Sequence, residues 1–255
     1  MDSCVLGGTS SYGRRPFPTR VGTPPVSPAG SIRRMTRRGD LNGWWRLGLL
    51  VVGVVARLLF RIRVTGVGRV PEAGPGIVAG NHLSALDGIL LALVVGQRRR
   101  RMTRFLAAAE FFDKPAFGWV LRTYRQIPLR RGEGDVDALE EGIRTVRSGA
   151  LAGIFPEGKV NPAPEKGLQR GRTGVARMAV ASGASVIPVG IWGTHLRYPR
   201  DGFHWGPPWR PTVVLAFGAP LPTPGEGTTV DDAQRFTELV MARIGELVDR
   251  ARGLP

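Results

Sequence analysis

The sequence predicts an α/β fold: a mixed, largely parallel sheet flanked by helices, preceded by a helix suited to a membrane interface. Two patterns carry the prediction. From about residue 64, short apolar runs alternate with stretches of helical periodicity, the rhythm of strands joined by helices. Ahead of them lies a Trp- and Leu-rich segment with arginines at helical spacing. The chain has 255 residues, 42% of them hydrophobic, enough to bury one sizeable core.

Residues 1–40 are rich in Pro, Gly, Ser and Arg without hydrophobic periodicity. Such a segment buries too little surface to offset its ordering entropy, so a disordered basic tail is expected. It also lacks the apolar stretch of a secretory signal.

Residues 41–63 (LNGWWRLGLLVVGVVARLLFRIR) are expected to form an interfacial, membrane-binding helix. The charge-free run Leu47 to Ala56 is too short to span a bilayer, which takes ~20 apolar residues. Asn42, Arg46, Gly53 and Arg57 recur on one helical stripe, and the other faces carry Trp, Leu, Val and Phe. A helix of this kind suits lying in the headgroup region, and the rival is an ordinary buried N-terminal helix.

Residues 64–255 form the body. The runs GIVAGNH, RFLAAAEFF, ALAGIFPEG, ASVIPVGIWG and TVVLAFGAPL read as buried strands, and YRQIPLRRG holds a further short extended segment. Helices are expected over roughly 85–96, 115–124, 135–148 and 171–182. The tail places Phe236, Leu239, Val240, Ile244, Leu247 and Val248 on one face of a terminal helix packed on the body. The basic run Arg98–Arg101 follows a helix and reads as a solvated turn, or near a bilayer as a headgroup contact.

Chemistry enters at GNHLSALDG. His82 falls at the C-terminal end of a strand, where α/β sheets build their sites. Asp87 falls in the first turn of the helix that follows, within reach of the imidazole. A carboxylate on one ring nitrogen fixes the tautomer and raises the basicity of the other, as a general base acting on a hydroxyl requires. Ser84 opens a Ser-x-x-Asp capping pattern and is read as a helix cap, since no G-x-S-x-G elbow surrounds it. In FPEG, proline ends a strand, Gly158 permits a sharp turn, and Glu157 is left at the same sheet edge as His82. Arg130 and Arg131 follow the extended segment IPL. His195 and His204 lie in loop-like text without metal-ligand spacing and are expected to be structural.

This ordered set resembles the glycerolipid acyltransferases, especially the 1-acylglycerol-3-phosphate (lysophosphatidic acid) acyltransferases. Four blocks carry the resemblance in register, NHLSALD, IPLRR, FPEG and VIPV, over a stretch from about Arg63 to Leu221. It implies a fold like that of the glycerol-3-phosphate acyltransferases, with residues 64–255 as the acyltransferase domain. It also implies a mechanism, in which His82, oriented by Asp87, deprotonates a glycerol hydroxyl that attacks an acyl thioester directly. The donor would be acyl-CoA or acyl-ACP as co-substrate, with no cofactor and no metal. The acceptor would be a lysophospholipid, 1-acyl-sn-glycerol 3-phosphate giving phosphatidic acid. Arg131 would hold the acceptor phosphate, with Glu157, Gly158, Arg130 and Lys159 as further substrate-binding residues. Asn81 and Pro188 are expected to be structural. The sequence departs from the family where Ala108 replaces a common lysine, where Arg130 replaces a common acidic residue, and where Lys159-Val160-Asn161 follows FPEG. Lys159, Arg170 and Arg172 are candidates to replace the missing cation. Acceptor identity therefore stays open among a lysophospholipid, a lyso-ornithine lipid, a glycolipid and glycerol 3-phosphate.

The formal net charge of +16 implies a polyanionic partner or an arginine-rich proteome background. Membrane lipids and an acyl carrier protein are the partners expected, at the cytoplasmic face of the cell membrane as a peripheral or monotopic protein. Cys4, the single cysteine, leaves no disulfide framework and fits a reducing compartment. A non-catalytic basic protein binding membranes or nucleic acid is the rival class. It has no use for a base with its orienting carboxylate, and no nucleic-acid motif is present.

Overall fold

The computed structural model describes residues 43–130, 136–200, 202–225 and 227–254, without the side chains of Ala116 and Phe117. The chain divides into residues 1–34 and 35–255. The expected tail and Arg131 lie outside the described residues.

Among the described residues, seven strands and six α-helices build the body: α1 (Gly43–Leu59), β1 (Arg61–Thr65), β2 (Gly76–Gly80), α2 (Asp87–Arg99), β3 (Thr103–Ala108), α3 (Pro115–Thr123), β4 (Ile127–Leu129), α4 (Val136–Arg147), β5 (Leu151–Ile154), α5 (Gly174–Ser182), β6 (Val186–Trp192), β7 (Thr212–Phe217) and α6 (Val230–Arg252). They form one sheet in the order β1-β7-β6-β2-β5-β3-β4. Five neighbouring strands, β6, β2, β5, β3 and β4, run parallel. β7 pairs antiparallel with β6, and β1 pairs parallel with β7, so this outer pair runs the other way.

The order of the parallel strands decides where the helices go. The chain leaves β2, passes through α2 and enters β3 beyond β5, then passes through α3 to β4. From β4 it turns back through α4 to β5 and through α5 to β6. Right-handed crossovers in opposite directions place their helices on opposite faces. α1 packs on α2, with Gln97 donating to the Leu49 carbonyl at 3.1 Å. The apolar side chains of Val78, Leu90, Leu91, Phe105, Ile187 and Val213 form a core that takes in Ala56 and Phe60. Strands with almost every residue buried, such as β2 and β5, read as continuous apolar runs because both faces are covered.

Several sequence expectations change here. The helix expected over 41–63 ends at Leu59, and Arg61–Thr65 is a strand paired with β7. Alternation of exposed and half-buried residues in RIRVT is the signature of an edge strand, which the arginines disguised. Of the stripe Asn42, Arg46, Gly53 and Arg57, Asn42 lies outside the described residues, while Gly53 is buried toward α2 near Leu93 and Gln97. Arg46 and Arg57 therefore mark the border of the packed face. Leu239 of α6 is exposed while Ala233, Thr237 and Ala251 join the buried face, because position 239 sits well off the centre of that stripe at 3.6 residues per turn. Arg101 is no solvated turn residue. It is buried and donates to the carbonyls of Pro71, Gly74 and Gly149 at 2.9–3.2 Å.

Candidate active site

β2 and β5 are neighbours whose following helices depart in opposite directions, so a crevice opens beyond their C-terminal ends. The loop after β2 carries His82, and the loop after β5 carries the FPEG turn. The fold thus brings residues 75 positions apart into hydrogen-bonding contact.

His82 is held at every handle. Its Nδ1 lies 3.0 Å from Asp87 Oδ2. Its ring stacks on Phe155 with centroids 4.2 Å apart and planes 7° from parallel. Its backbone N–H donates to Glu157 Oε1 at 3.0 Å, and its carbonyl accepts from Asn161 N at 2.7 Å. Behind it, Phe155 stacks on Phe105 at 5.4 Å. Phe105 in turn covers Gly153, its register partner, where a Cβ would overlap the ring. A glycine in that strand is therefore what lets the aromatic column stand under the imidazole.

Asp87 is fully buried. One oxygen, Oδ2, accepts from Leu83 N at 2.6 Å and Ser84 N at 2.8 Å besides facing the imidazole. The other, Oδ1, accepts from Thr194 Oγ1 at 2.6 Å. A buried carboxylate is tolerated when its lone pairs are filled this way. With the carboxylate on Nδ1, the proton sits there and Nε2 is left as the basic nitrogen. Ser84 caps differently from expectation. α2 begins at Asp87, and the Ser84 hydroxyl accepts from Leu86 N at 3.1 Å rather than from Asp87 N. Only the return half of the capping pattern, Ser84 N to the Asp87 carboxylate, is made.

Glu157 is 2% exposed, and its second oxygen accepts from Gln169 N at 3.0 Å and Gln169 Nε2 at 3.2 Å. Burial raises its pKa above the ordinary glutamate value, against the lowering by N–H groups of His82 and Gln169. This carboxylate ties the His82 backbone to the 157–169 loop. Gly158 closes the turn through its N–H to the Phe155 carbonyl at 2.9 Å and takes φ 71°, a left-handed conformation that glycine adopts without strain. Lys159 and Arg172 are exposed beside this turn, with the Arg172 guanidinium against Gly158. Arg130 is exposed at the end of β4, three strand spacings from β2, or ~14 Å at 4.8 Å each. It therefore shares the edge with His82 without sharing its immediate surroundings.

Asn81 is structural as expected: its amide clasps Ile191 of β6 from both sides, at 3.0 and 2.7 Å. Pro188 lies within β6 opposite Ala79, and its carbonyl accepts from Gly218 N at 2.8 Å. His195 packs on Trp192 with its Nε2 3.8 Å from Glu165. Burial lowers its pKa. Among the described residues no cluster of His, Cys, Asp and Glu has the makings of a metal site. Thr194, Asn161 and Gln169 were not singled out in the sequence. The one local signal for Thr194 is its place just past Gly193 at the end of β6, since its partner lies 107 positions away.

The sequence profile of the acyltransferase family matches residues 61–192, more than half of the chain. An uncharacterized protein of Mycobacterium leprae is 30% identical over 149 residues, covering 55% of this chain and 38% of that protein. The chain thus spans under two fifths of that relative. The 1-acyl-sn-glycerol-3-phosphate acyltransferase of Borreliella burgdorferi is 28% identical over 137 residues, 53% of this chain and 52% of that enzyme. The crystal structure of the 1-acyl-sn-glycerophosphate (LPA) acyltransferase PlsC from Thermotoga maritima shares the fold, with a TM-score of 0.65 at 24% identity over 83% of this chain and 80% of that one. The matched region contains the whole His82–Asp87–Glu157 constellation, and the chain belongs to the acyltransferase family.

Proposed function

We propose that the enzyme transfers a fatty acyl group from acyl-CoA or acyl-ACP to the free glycerol hydroxyl of a lysophospholipid, with 1-acyl-sn-glycerol 3-phosphate as acceptor. The observation that carries this reading is the His82–Asp87 pair at the sheet's switch point, with Nε2 left free of Asp87. His82 Nε2 takes the hydroxyl proton as the oxygen attacks the thioester carbonyl. The tetrahedral adduct then expels the thiolate, which recovers the proton from the imidazolium, leaving an ester and a thiol. Arg131, which lies outside the described residues, and the nearby Arg130, Lys159 and Arg172 supply cations for an acceptor phosphate. The name of the Borreliella relative supports the same acceptor.

A lipid acceptor requires access to a lipid surface, and α1 fits that need. Leu47, Leu50, Val51, Val54, Val55 and Leu58 are exposed with Trp44 on one face of the helix. At 100° per residue these positions fill an arc of roughly 140° free of charge, opposite the buried Trp45, Gly53 and Ala56. No described helix is long and apolar enough to cross a membrane. α1 therefore lies in the interface of the cytoplasmic leaflet, its apolar arc among the acyl chains.

The test incubates purified protein with labelled acyl-CoA and acyl-ACP against lysophosphatidic acid, a lyso-ornithine lipid, a glycolipid and glycerol 3-phosphate. Acylated lysophosphatidic acid is expected. Exclusive acylation of an acceptor lacking a phosphomonoester would make Ala108, in place of the family's lysine, the mark of a changed substrate. His82→Ala is expected to lower turnover by roughly 10²–10⁴-fold while the protein stays folded, as checked by circular dichroism. A variant retaining most of its activity would remove His82 from the mechanism.

A further inference from the structure

The connection from β6 to β7 contains three aromatic side chains that the fold leaves outside: Phe203, Trp205 and Trp209, with Trp205 65% exposed. They are not on a loose loop. Arg197 is buried beneath them, and its guanidinium donates to the carbonyls of His204 at 2.7 Å, Pro208 at 3.0 Å and Trp209 at 2.8 Å. The same guanidinium lies 5.2 Å from the Trp205 ring and 5.9 Å from Phe203. The rings also meet one another, Phe203 with Trp205 and Trp205 with Trp209, each pair at 5.9 Å. A buried cation is costly unless its donors are filled, so the chain commits a whole arginine to holding three rings at the surface.

Position adds the second argument. β7 runs opposite to β6, so its start, and the loop before it, lie at the edge that carries His82. β1 is parallel to β7, so the C-terminal end of α1 reaches the same edge. Arg210 binds the two together, donating to the carbonyls of Arg57 at 2.5 Å and Phe60 at 3.4 Å. The surrounding charge is mostly positive. From Gly43 to Pro71 the chain has Arg46, Arg57, Arg61, Arg63 and Arg69 and no acidic residue, and Arg200 and Arg210 flank the aromatic loop, with Asp201 next to Arg200.

We propose that the Phe203–Trp209 loop is a second bilayer-contacting element, which inserts its rings at the headgroup level of an anionic membrane next to α1. It rests on the reading of α1 as an interfacial helix and extends it to the catalytic edge. Trp at a polar–apolar boundary with arginines beside it is the combination that such a surface favours. Two anchors, one along α1 and one at its C-terminal end, fix the orientation of the protein on the bilayer and bring the His82 edge to the lipid.

The experiment uses the full chain with Cys4→Ser and Phe203→Cys, labelled with an environment-sensitive fluorophore. It is mixed with vesicles of phosphatidylcholine and phosphatidylglycerol in equal parts, and with vesicles of phosphatidylcholine alone. Emission should rise and shift to the blue with the anionic vesicles. Separately, the triple variant Phe203→Ser, Trp205→Ser, Trp209→Ser should sediment with these vesicles roughly tenfold more weakly or worse than wild type. Leu50→Ser with Leu58→Ser reports on α1 alone. If that pair abolishes sedimentation while the loop variant binds as wild type and the fluorophore stays unchanged, the loop proposal is overturned and α1 stands. If wild type fails to sediment, both are overturned. A fluorophore buried without lipid, together with a dimeric mass that the loop variant loses, would assign the rings to a second copy and overturn the proposal.

Discussion

Asp87 is a buried carboxylate with four donors, and one of them, Thr194, comes from just past the C-terminal end of the family region. A fully buried hydroxyl at 2.6 Å both neutralises the unpaired lone pair of Oδ1 and fixes the plane of the carboxylate against the imidazole. Thr194→Val keeps the shape and removes the donor, at a cost of about 1–3 kcal/mol for the orphaned acceptor. Turnover should fall while the Michaelis constants stay nearly unchanged, because a misaligned base slows the proton transfer and not binding. Thr194→Ser, which returns the donor, should restore turnover. Glu157 makes the opposite electrostatic case. Burial raises its folded pKa, so the native state retains a proton that the unfolded chain has already released. The stability it contributes is present below the ordinary glutamate value and declines as pH climbs to the raised folded value. Glu157→Gln does not titrate. The melting temperature of wild type, measured relative to Glu157→Gln, should therefore fall as pH rises upward from the ordinary glutamate range. A pH-independent difference would show that the environment does not perturb the carboxyl.

At the scale of elements, α1 serves two solvents at once. Its packed face sets Trp45 edge-on to Tyr124 at 5.1 Å and lays Leu49 over Gly96, while the opposite arc stays exposed. The Tyr124 hydroxyl donates to the Trp44 carbonyl at 2.9 Å, and Trp44 meets Trp119 of α3 edge-on at 6.0 Å. The helix is consequently part of the core, beside the membrane role proposed for its exposed arc. Removing everything through Phe60 would open that core rather than merely release the protein from lipid. Phe60→Ala is expected to cost about 3–5 kcal/mol in a urea or thermal melt, since the ring is 2% exposed within the main cluster. A chain beginning at Leu41 keeps both faces and should keep both stability and vesicle binding.

For the whole molecule, the proposed association with anionic lipid would draw on the excess of 16 positive charges at long range and on the exposed apolar surface at short range. The two respond differently to salt. Charge attraction between exposed groups is screened over about 8 Å at physiological ionic strength, whereas apolar insertion is not. Association with anionic vesicles should weaken as salt rises and level off at a residual apolar affinity. Binding that falls to nothing at high salt would assign it to charge alone and leave the α1 arc without a role.

Strand runs such as GIVAG and ALAGI, the helices after them and the four ordered motifs were all legible in the sequence. They depend on local periodicity and on residues close in the chain. His82 and Asp87 belong to this class, because five positions across a strand-to-helix turn put them together whatever surrounds them. So did the family, which rests on the order of blocks and not on their contacts. What only the tertiary structure decided are the pairings across the sheet. RIRVT became a strand because β7 offered it a partner, overriding a segment that read as helix. Arg101 became a buried brace because three carbonyls from two separate loops converge on it. Thr194 entered the site because β6 lies next to β2, and Glu157 reaches the His82 backbone because β5 lies on the other side. Hydrogen bonds between residues distant in sequence leave no periodic trace in the chain. Their partners are chosen by strand order, and strand order is set by the packing of the whole.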